Sequence, residues 1–222
     1  MPAATRARPA PARGRPPTER CADALDVAAD VFARRGYRQT DVQEIADALG
    51  VGKGSLYRRY PTKRALFLAA ADHSMRQLRD RVHAAADAQR DPLAQLSAAV
   101  RAYLEHFDEH PQHAELLIQE RAEFRDRKTN TYFAHRAESR QRWRALYRDL
   151  MRTGRLRRMP VDPLMDVVGH LVYGTMFTNF FAGHSKSSAQ QAQDILDVVF
   201  HGILAPGRRA GGAAGGARRR RR

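Results

Sequence analysis

Cysteine is nearly absent from this chain. Its one cysteine, Cys21, excludes an intrachain disulfide and a zinc site built from several cysteines of one chain. Long apolar runs are missing too: the longest apolar stretch, 163–183, includes Asp166, His170 and Asn179, which favours a buried helix over a membrane span. The N-terminus has no apolar signal-peptide core. We therefore expect a cytoplasmic protein, associated with the nucleoid if it binds DNA.

The motifs of common catalytic sites are also missing. There is no glycine-rich phosphate loop, no nucleophile elbow and no carboxylate pair beyond ordinary helical charge patterning. The alternation of apolar and polar residues that is typical of strands is absent as well. We therefore expect an all-α protein that is not an enzyme, needs no cofactor and holds no metal ion.

Acidic residues are few: 24 Asp and Glu stand against 39 Lys and Arg, and the net charge is +15. An excess of this sign usually indicates a polyanionic partner. Eleven arginines lie in residues 1–17 and 206–222, which contain no acidic residue, so residues 18–205 carry only +4. A body this close to neutral must bind DNA through a local patch.

Both ends of the chain have compositions typical of disordered tails. Residues 1–17 are mostly Pro, Ala and Arg, and residues 206–222 are Gly and Ala followed by five arginines. Neither tail can bury enough apolar surface to offset the entropy of ordering, so we expect both to be solvated. The alternative is that Arg13, Arg15 and their neighbours lie along phosphates or in a minor groove.

Residues 36–66 have the pattern of two short helices joined by a tight turn. Thr40 or Asp41 can cap the first helix, because each offers a side-chain oxygen to backbone N–H groups that lack a partner. Four apolar residues then recur at helical spacing and give this helix one apolar face: Val42, Ile45, Ala46 and Leu49. Gly50 stands where a left-handed residue costs least, and Val51 can pack the turn against the core.

The second helix of this unit begins near Gly52 and ends before Pro61. Leu56 and Tyr60 are i, i+4 neighbours that should face inward, which leaves hydrogen-bond donors on the outer face. Arginine can donate to guanine or phosphate, and serine and tyrosine to phosphate. The candidate DNA-contacting residues are Thr40, Lys53, Gly54, Ser55, Tyr57, Arg58, Arg59 and Lys63. Such a helix-turn-helix places its second helix in the major groove, although helix pairs of this shape also occur in proteins that never touch DNA.

This segment resembles the DNA-binding domain of the tetracycline-repressor (TetR) family of transcriptional regulators. The matching residues, at the family's spacing, are Gly36, Tyr37, Thr40, Val42, Ile45, Ala46, Gly50, Val51, Lys53, Gly54, Ser55, Leu56, Tyr57, Pro61, Lys63 and Leu66. Three departures are Asp41 in place of a phosphate-contacting Ser or Thr, Gly52 in place of a Ser cap, and Arg59-Tyr60 in place of His-Phe. Asp41 cannot donate to a phosphate, whereas Arg59 should do so at least as well as histidine.

The resemblance implies a three-helix DNA-binding domain at residues 18–66 and a larger helical domain for effector binding and dimerisation at 67–205. Segment 163–183 is apolar on more than one face, so one neighbouring helix cannot bury it, and segment 188–204 predicts a second apolar helix. We expect an intermolecular four-helix bundle, in which Gly169 and Gly174 allow close approach, and the alternative is a monomeric core. In a dimer, two recognition helices about 34 Å apart would read successive major grooves.

An apolar cavity in the helical domain is the expected site of an unidentified small-molecule effector, as the resemblance implies. Its candidate lining residues are Tyr103, Phe107, Phe124, Trp143, Tyr147, Met165, Tyr173 and Phe177. Aromatic residues at helical spacing fit a plain core equally well. His106, His110 and His113 have a spacing that could bind a metal ion, but in a segment rich in Glu and Asp we expect a solvated face.

Taken together, these patterns predict a homodimeric repressor that a small-molecule effector releases from a palindromic operator. One alternative is an architectural protein that coats DNA without sequence choice, using its arginine-rich tails. Another is a helical protein that binds small molecules and does not bind DNA. The first alternative is tested by measuring whether DNA affinity depends on the tail at 206–222. The second is tested by measuring whether substitution of Tyr57 and Arg58 changes DNA affinity.

Overall fold

The computed structural model describes residues 17–183 and 186–202, with side-chain surroundings from residue 24 onward. Within these ranges the chain forms helices and no strand, which confirms the all-α prediction. The helices are α1 (Pro17–Arg35), α2 (Val42–Leu49), α3 (Lys53–Arg59), α4 (Lys63–Asp87), α5 (Pro92–Glu109), α6 (Pro111–Glu123), α7 (Thr131–Arg152), α8 (Val161–Ala182) and α9 (Ser188–His201). The predicted tails lie outside the described residues, except for Pro17.

Side-chain caps fix where several helices begin. The Asp41 side chain accepts a hydrogen bond from the Gln43 N–H at 2.8 Å, so Asp41 caps α2. Thr40 is not the cap, because it is buried and its Oγ1 donates to the Gly36 carbonyl at 2.8 Å. Thr62 caps α4, accepting from the Ala65 N–H at 3.0 Å. The other side-chain caps are Asp91 for α5, Asn130 for α7 and Ser187 for α9.

Helices α1 to α3 form a small unit that packs on the first turns of α4. Its core includes Ile45, Leu56 and Leu66, each buried. Beside them lies an aromatic cluster, whose neighbouring ring centroids are 4.9–6.1 Å apart: Phe32, Tyr37, Phe67 and Phe124. Phe124 follows α6, so this cluster joins the helix-turn-helix unit to the larger helical domain.

Helix α4 runs from the small unit into the larger domain. Leu66 and Phe67 near its start belong to the first core, whereas Met75 and Leu78 belong to a second core with residues of α5 to α8. Near the end of α4, Arg142 of α7 contacts Asp87 at 2.5 Å. One continuous helix therefore links both parts of the molecule.

Helix α8 exposes apolar side chains on one side. Val167, Leu171 and Phe181 of α8 are exposed, and so is Val198 of α9. No helix in the described residues is both long and apolar enough to cross a membrane. Gly169 does not serve the close approach that we expected, because the Arg136 guanidinium of the same chain occupies the space that a Cβ would take. Around Gly174 that space is open.

Candidate nucleic-acid interface and internal cavity

The turn between α2 and α3 is set by Gly50. Its φ of 66° is left-handed, and its N–H donates to the Ala46 and Asp47 carbonyls. The Val51 N–H also donates to the Ala46 carbonyl, at 3.0 Å, which closes the end of α2. Val51 itself is 42% exposed, so the prediction that it packs against the core is wrong. Gly52 precedes α3 without a side-chain cap.

Helix α3 presents one face to solvent and one to the core. Leu56 is buried at 6% exposure and anchors α3. The exposed residues are Gly54, Ser55, Tyr57, Arg58 and Arg59. The Arg58 guanidinium donates to Ser55 Oγ at 3.1 Å, and that of Arg59 lies 6.0 Å from the Tyr60 ring centroid. In the described part of the chain neither arginine contacts a carboxylate, so both guanidinium groups are available to an external anion.

Three of the candidate DNA-contacting residues have internal partners instead. Lys53 Nζ lies 2.7 Å from Asp41 Oδ1, which ties the start of α3 to the cap of α2. The backbone N–H of Gln43, followed by Lys53, lowers the pKa of the Asp41 carboxyl below its usual range. Thr40 is 3% exposed with its hydroxyl donated inward, so its prediction as a DNA contact is corrected.

Lys63 holds the loop between α1 and α2. Its Nζ donates to the carbonyls of Arg38 and Thr40 at 3.1 and 3.0 Å, and lies 4.8 Å from the Tyr37 ring centroid. Arg38 in turn contacts Glu123 of α6 through Nε at 2.9 Å. The matching lysine of the sequence pattern therefore positions the helix-turn-helix within its own chain.

A cavity of about 200 Å³ lies between α4, α5, α7 and α8. Four of the eight residues predicted to line such a cavity do so: Tyr103, Trp143, Tyr147 and Met165. The other four, Phe107, Phe124, Tyr173 and Phe177, do not, and their prediction as lining residues is corrected.

Packing explains where these four rings lie. Phe124 completes the aromatic cluster of the first core, and Phe107 is buried in the second core. Tyr173 and Phe177 pack partly exposed beside that second core, with ring centroids 4.9 Å apart. Helical spacing identified apolar faces, but it did not tell which face meets the cavity.

The sequence reasoning missed the polar lining of the cavity. Among its wall residues are Arg79, His83, Tyr132, His135, Arg136, Ser139 and Arg140. On α7 these residues recur three or four apart, and this spacing is the signal that could have placed them on one face.

The charged residues of this wall are paired. Arg136 and Arg140 of α7 contact Asp166 of α8 at 3.3 and 2.9 Å, and Arg79 contacts Glu138 at 3.3 Å. These arginines lower the pKa of the Asp166 carboxyl, with the hydrogen bond from Arg140 as the largest cause. The α7–α8 side of the cavity is therefore closed by ion pairs.

Two tyrosines of the cavity wall are hydrogen-bonded to each other. Tyr103 of α5 donates its hydroxyl proton to the Tyr132 hydroxyl of α7 at 3.1 Å. Burial raises the pKa of Tyr132 to about 12, and that of Tyr103 rises well above its usual value. Both hydroxyls therefore stay protonated at neutral pH, and each has the other as a partner.

The three histidines at the α5–α6 corner are not the solvated face that we expected. His106 and His113 are each 2% exposed, and His106 Nε2 lies 3.0 Å from His113 Nδ1. Burial and then repulsion from neighbouring histidines lower the pKa of His106 to about 3 and that of His113 to about 4. No cluster with metal-binding geometry occurs among the described residues.

Two family models match this chain. Residues 24–70 match the model described as "Bacterial regulatory proteins, tetR family", and residues 89–203 match "Tetracyclin repressor-like, C-terminal domain". Together they cover most of the helix-turn-helix unit and the helices α5, α7 and α8, whereas the cavity-lining residues of α4 lie between the two matches. The resemblance stated from residues 36–66 is thereby confirmed.

Individual relatives give the same result. The chain is 36% identical over 103 residues to the HTH-type transcriptional activator FasR of Mycolicibacterium smegmatis, covering 46% of this chain and 47% of FasR. It is 28% identical over 193 residues to the HTH-type transcriptional repressor KstR2 of the same species, covering 84% of this chain and 92% of KstR2. The matches to the first curated relatives span less than half of their length.

The fold recurs in solved structures. The crystal structure of the transcriptional regulator FadR from Bacillus subtilis, in complex with stearoyl-CoA, superposes with a TM-score of 0.68 at 16% identity. This superposition covers 82% of the present chain and 98% of FadR. At that identity the likeness concerns the fold alone.

Proposed function

This chain belongs to the tetR family of bacterial regulatory proteins, and from that premise we propose that it is a homodimeric repressor released from a palindromic operator by a small-molecule effector. It acts in the cytoplasm, on the nucleoid, and it is not an enzyme. The observation that carries the proposal is the outer face of α3, where Arg58 and Arg59 are exposed and have no carboxylate contact within the described ranges.

We assign the recognition of a specific DNA sequence to this outer face of α3. Arg58 and Arg59 supply cations for phosphate or guanine, and Ser55 and Tyr57 supply hydroxyl donors. Gly54 has open space around its backbone, which permits a close approach to the duplex. Lys53 contributes by holding α3 against Asp41, and its contact with phosphate requires that this ion pair open.

Dimerisation is assigned to α8 and α9. Val167, Leu171 and Phe181 recur on one side of α8 and are 57%, 40% and 69% exposed in the single chain. Val198 of α9 is a further exposed apolar residue, at 49%. Exposed apolar side chains grouped on one side of a helix favour an interaction site, and a second copy of these helices would bury them in a four-helix bundle.

The effector site is assigned to the cavity between α4, α5, α7 and α8. It is lined mainly by apolar side chains with a few polar groups, as small-molecule sites usually are. The proposed domains are residues 18–66 for DNA binding and residues 67–205 for effector binding and dimerisation. Effector binding would favour a state in which the two copies of α3 no longer match the operator.

Selection of genomic fragments by the full-length protein, followed by footprinting, tests this function. We expect enrichment of a palindrome with half-sites about one helical turn apart. The double substitution Tyr57→Phe with Arg58→Ala should lower operator affinity at least tenfold, since each lost base contact costs about 1–3 kcal/mol. Arg148→Ala, on the exposed face of α7, is the matched control and should bind as the wild type does.

Deletion of residues 206–222 separates this function from a non-specific DNA coat. A repressor keeps its operator preference after the deletion and loses only part of its salt dependence. Loss of nearly all DNA affinity together with sequence preference would support the coat instead. Phe181→Glu should also convert the dimer to a monomer in solution, whereas Ala145→Glu on α7 should leave the dimer intact.

A further inference from the structure

The cavity contains a hydrogen-bonding atom that the protein leaves unsatisfied. His83 of α4 lines the cavity, and its Nε2 is buried without a hydrogen-bond partner in the described structure. A buried polar atom of this kind destabilises the fold, and in a native protein it calls for an explanation. A ligand in the adjoining cavity would supply the missing partner.

The arginines of the wall have partners already, and His135, whose Nδ1 also lacks a hydrogen bond, is held by Asp72 through Nε2 at 2.8 Å. Arg79, Arg136 and Arg140 each contact a carboxylate from outside the cavity lining. A carboxylate buried in the cavity would therefore have to compete for cations that are already paired, and an uncompensated buried charge is costly. The wall thus favours a ligand whose oxygen carries no charge.

The position of His83 sets the shape of the ligand. Its ring centroid lies 5.8 Å from that of Trp143, whereas Tyr132, which is hydrogen-bonded to Tyr103, is the first residue of α7 in the cavity wall. Residues 132 and 143 of α7 are separated by about 16 Å along the helix axis, at roughly 1.5 Å per residue. The cavity wall also includes Met75, Val100 and Val168, so a ligand spanning it must be elongated and apolar.

We propose that the effector is an elongated, uncharged and mainly apolar molecule with a hydroxyl or carbonyl oxygen, and that this oxygen forms a hydrogen bond with His83 Nε2. The inference rests on the proposed function only in taking the cavity for the effector site. Burial, followed by the charges of Arg142 and Arg79, lowers the pKa of His83. The imidazole is therefore neutral at pH 8, with one donor and one acceptor nitrogen.

The protein carries its own reporter for this contact. Trp143 is the only tryptophan in the chain and lines the cavity beside His83. We would titrate the full-length protein at pH 8 with 1-decanol and, separately, with decanoate, and follow Trp143 fluorescence. We expect a saturable change with 1-decanol, and an affinity for 1-decanol at least tenfold higher than that for decanoate.

Substitutions at His83 separate hydrogen bonding from burial of the chain. His83→Leu removes the ring nitrogens at similar size and should weaken 1-decanol binding about tenfold, the effect of losing one hydrogen bond. The same substitution should leave the unfolding temperature unchanged or raise it, because an unsatisfied atom is removed. His83→Gln should restore most of the affinity. His201→Leu, the same substitution at an exposed histidine of α9 outside the cavity lining, should bind 1-decanol within twofold of the wild type.

Three results would overturn the inference: no saturable response to 1-decanol, tighter binding of decanoate, or equal 1-decanol affinity in the wild type and His83→Leu. Operator binding without any ligand is measured in a separate experiment. Its absence would contradict the proposed function, while the Trp143 titration would still decide what the cavity binds.

Discussion

Two regions that pack against α4 differ in how completely side chains fill their space. At the start of α4, Phe67 packs edge to face against Phe32 and Phe124, with centroid distances of 5.0 and 5.4 Å. Two turns and more further on, Met75 and Leu78 face a cavity of about 200 Å³. The first region is close-packed, and the second keeps room and an unsatisfied histidine nitrogen.

Because of this difference, the aromatic cluster should keep its shape, whereas the cavity can be empty or hold a ligand. Close-packed interiors resist compression and transmit displacement, so the aromatic cluster should move with α4 as one body. The cavity can exist empty or filled, and a ligand that prefers one arrangement of its walls shifts the population toward it. We therefore expect the two regions to respond differently to the same change.

Removal of a buried leucine side chain from each region tests the comparison most strongly. Leu66→Ala, in the first core, should lower the free energy of unfolding by about 4 kcal/mol, near the upper part of the usual range. Leu96→Ala, in the cavity wall, should cost only about 2 kcal/mol, because Leu96 has fewer packing partners on its cavity side. Denaturant unfolding at equal protein concentration measures both. Equal costs would mean that the cavity is as well packed as the cluster.

The buried pair of His106 and His113, where α5 meets α6, should make the free energy of unfolding depend on pH. Folding lowers the pKa of His106 to about 3 and of His113 to about 4, so below the unfolded value near 6.5 the unfolded state binds more protons. The contribution of these two neutral histidines to the free energy of unfolding is therefore fully present above about pH 6.5. It is lost as the pH falls toward the folded values, by up to about 1.4 kcal/mol per pH unit for each histidine.

Unfolding free energies between pH 4.5 and 8 measure this slope. The double substitution His106→Leu with His113→Leu should flatten it. His201→Leu, at an exposed histidine of α9, should leave it as it is in the wild type. An unchanged slope in the double variant would show that other groups govern the acid sensitivity.

The smallest expected difference in stability is between alanine substitutions at the two glycines within α8. Gly174→Ala enters open space and should stabilise the chain by about 0.5–1 kcal/mol through helix propensity. Gly169→Ala would displace the Arg136 guanidinium and disturb its contact with Asp166, so that gain should be absent. Thermal unfolding compares the pair. Equal stabilisation at both positions would contradict the assigned role of Gly169.

Local sequence signals predicted the helix-turn-helix well. The turn at Gly50 and the inward face with Leu56 depend on residues within four positions of one another, so spacing alone identifies them. Where the prediction chose between neighbours, as for Thr40 and Asp41, hydrogen bonds decided the outcome. Lys53 and Lys63 matched the pattern, but their partners Asp41 and Arg38 were invisible to it.

The cavity could be predicted only in part, because its walls come from four helices that are distant in sequence. Tyr103 and Trp143 were identified as lining residues, whereas Phe124 was assigned to the cavity although it packs beside Phe67. His83 carried no signal at all, since a single histidine on a polar, alanine-rich helix is usually solvated. Its ring lies beside that of Trp143, sixty residues further along the chain, and only its Nε2 is fully buried.

The central claim is that the outer face of α3 reads a specific DNA sequence. Fluorescence anisotropy with the selected operator and a scrambled duplex of equal length tests it most directly. The account predicts that the wild type prefers the operator by at least 100-fold and that Tyr57→Phe with Arg58→Ala removes at least tenfold of this preference. Equal affinity for both duplexes, or an undiminished preference in the double variant, would contradict it.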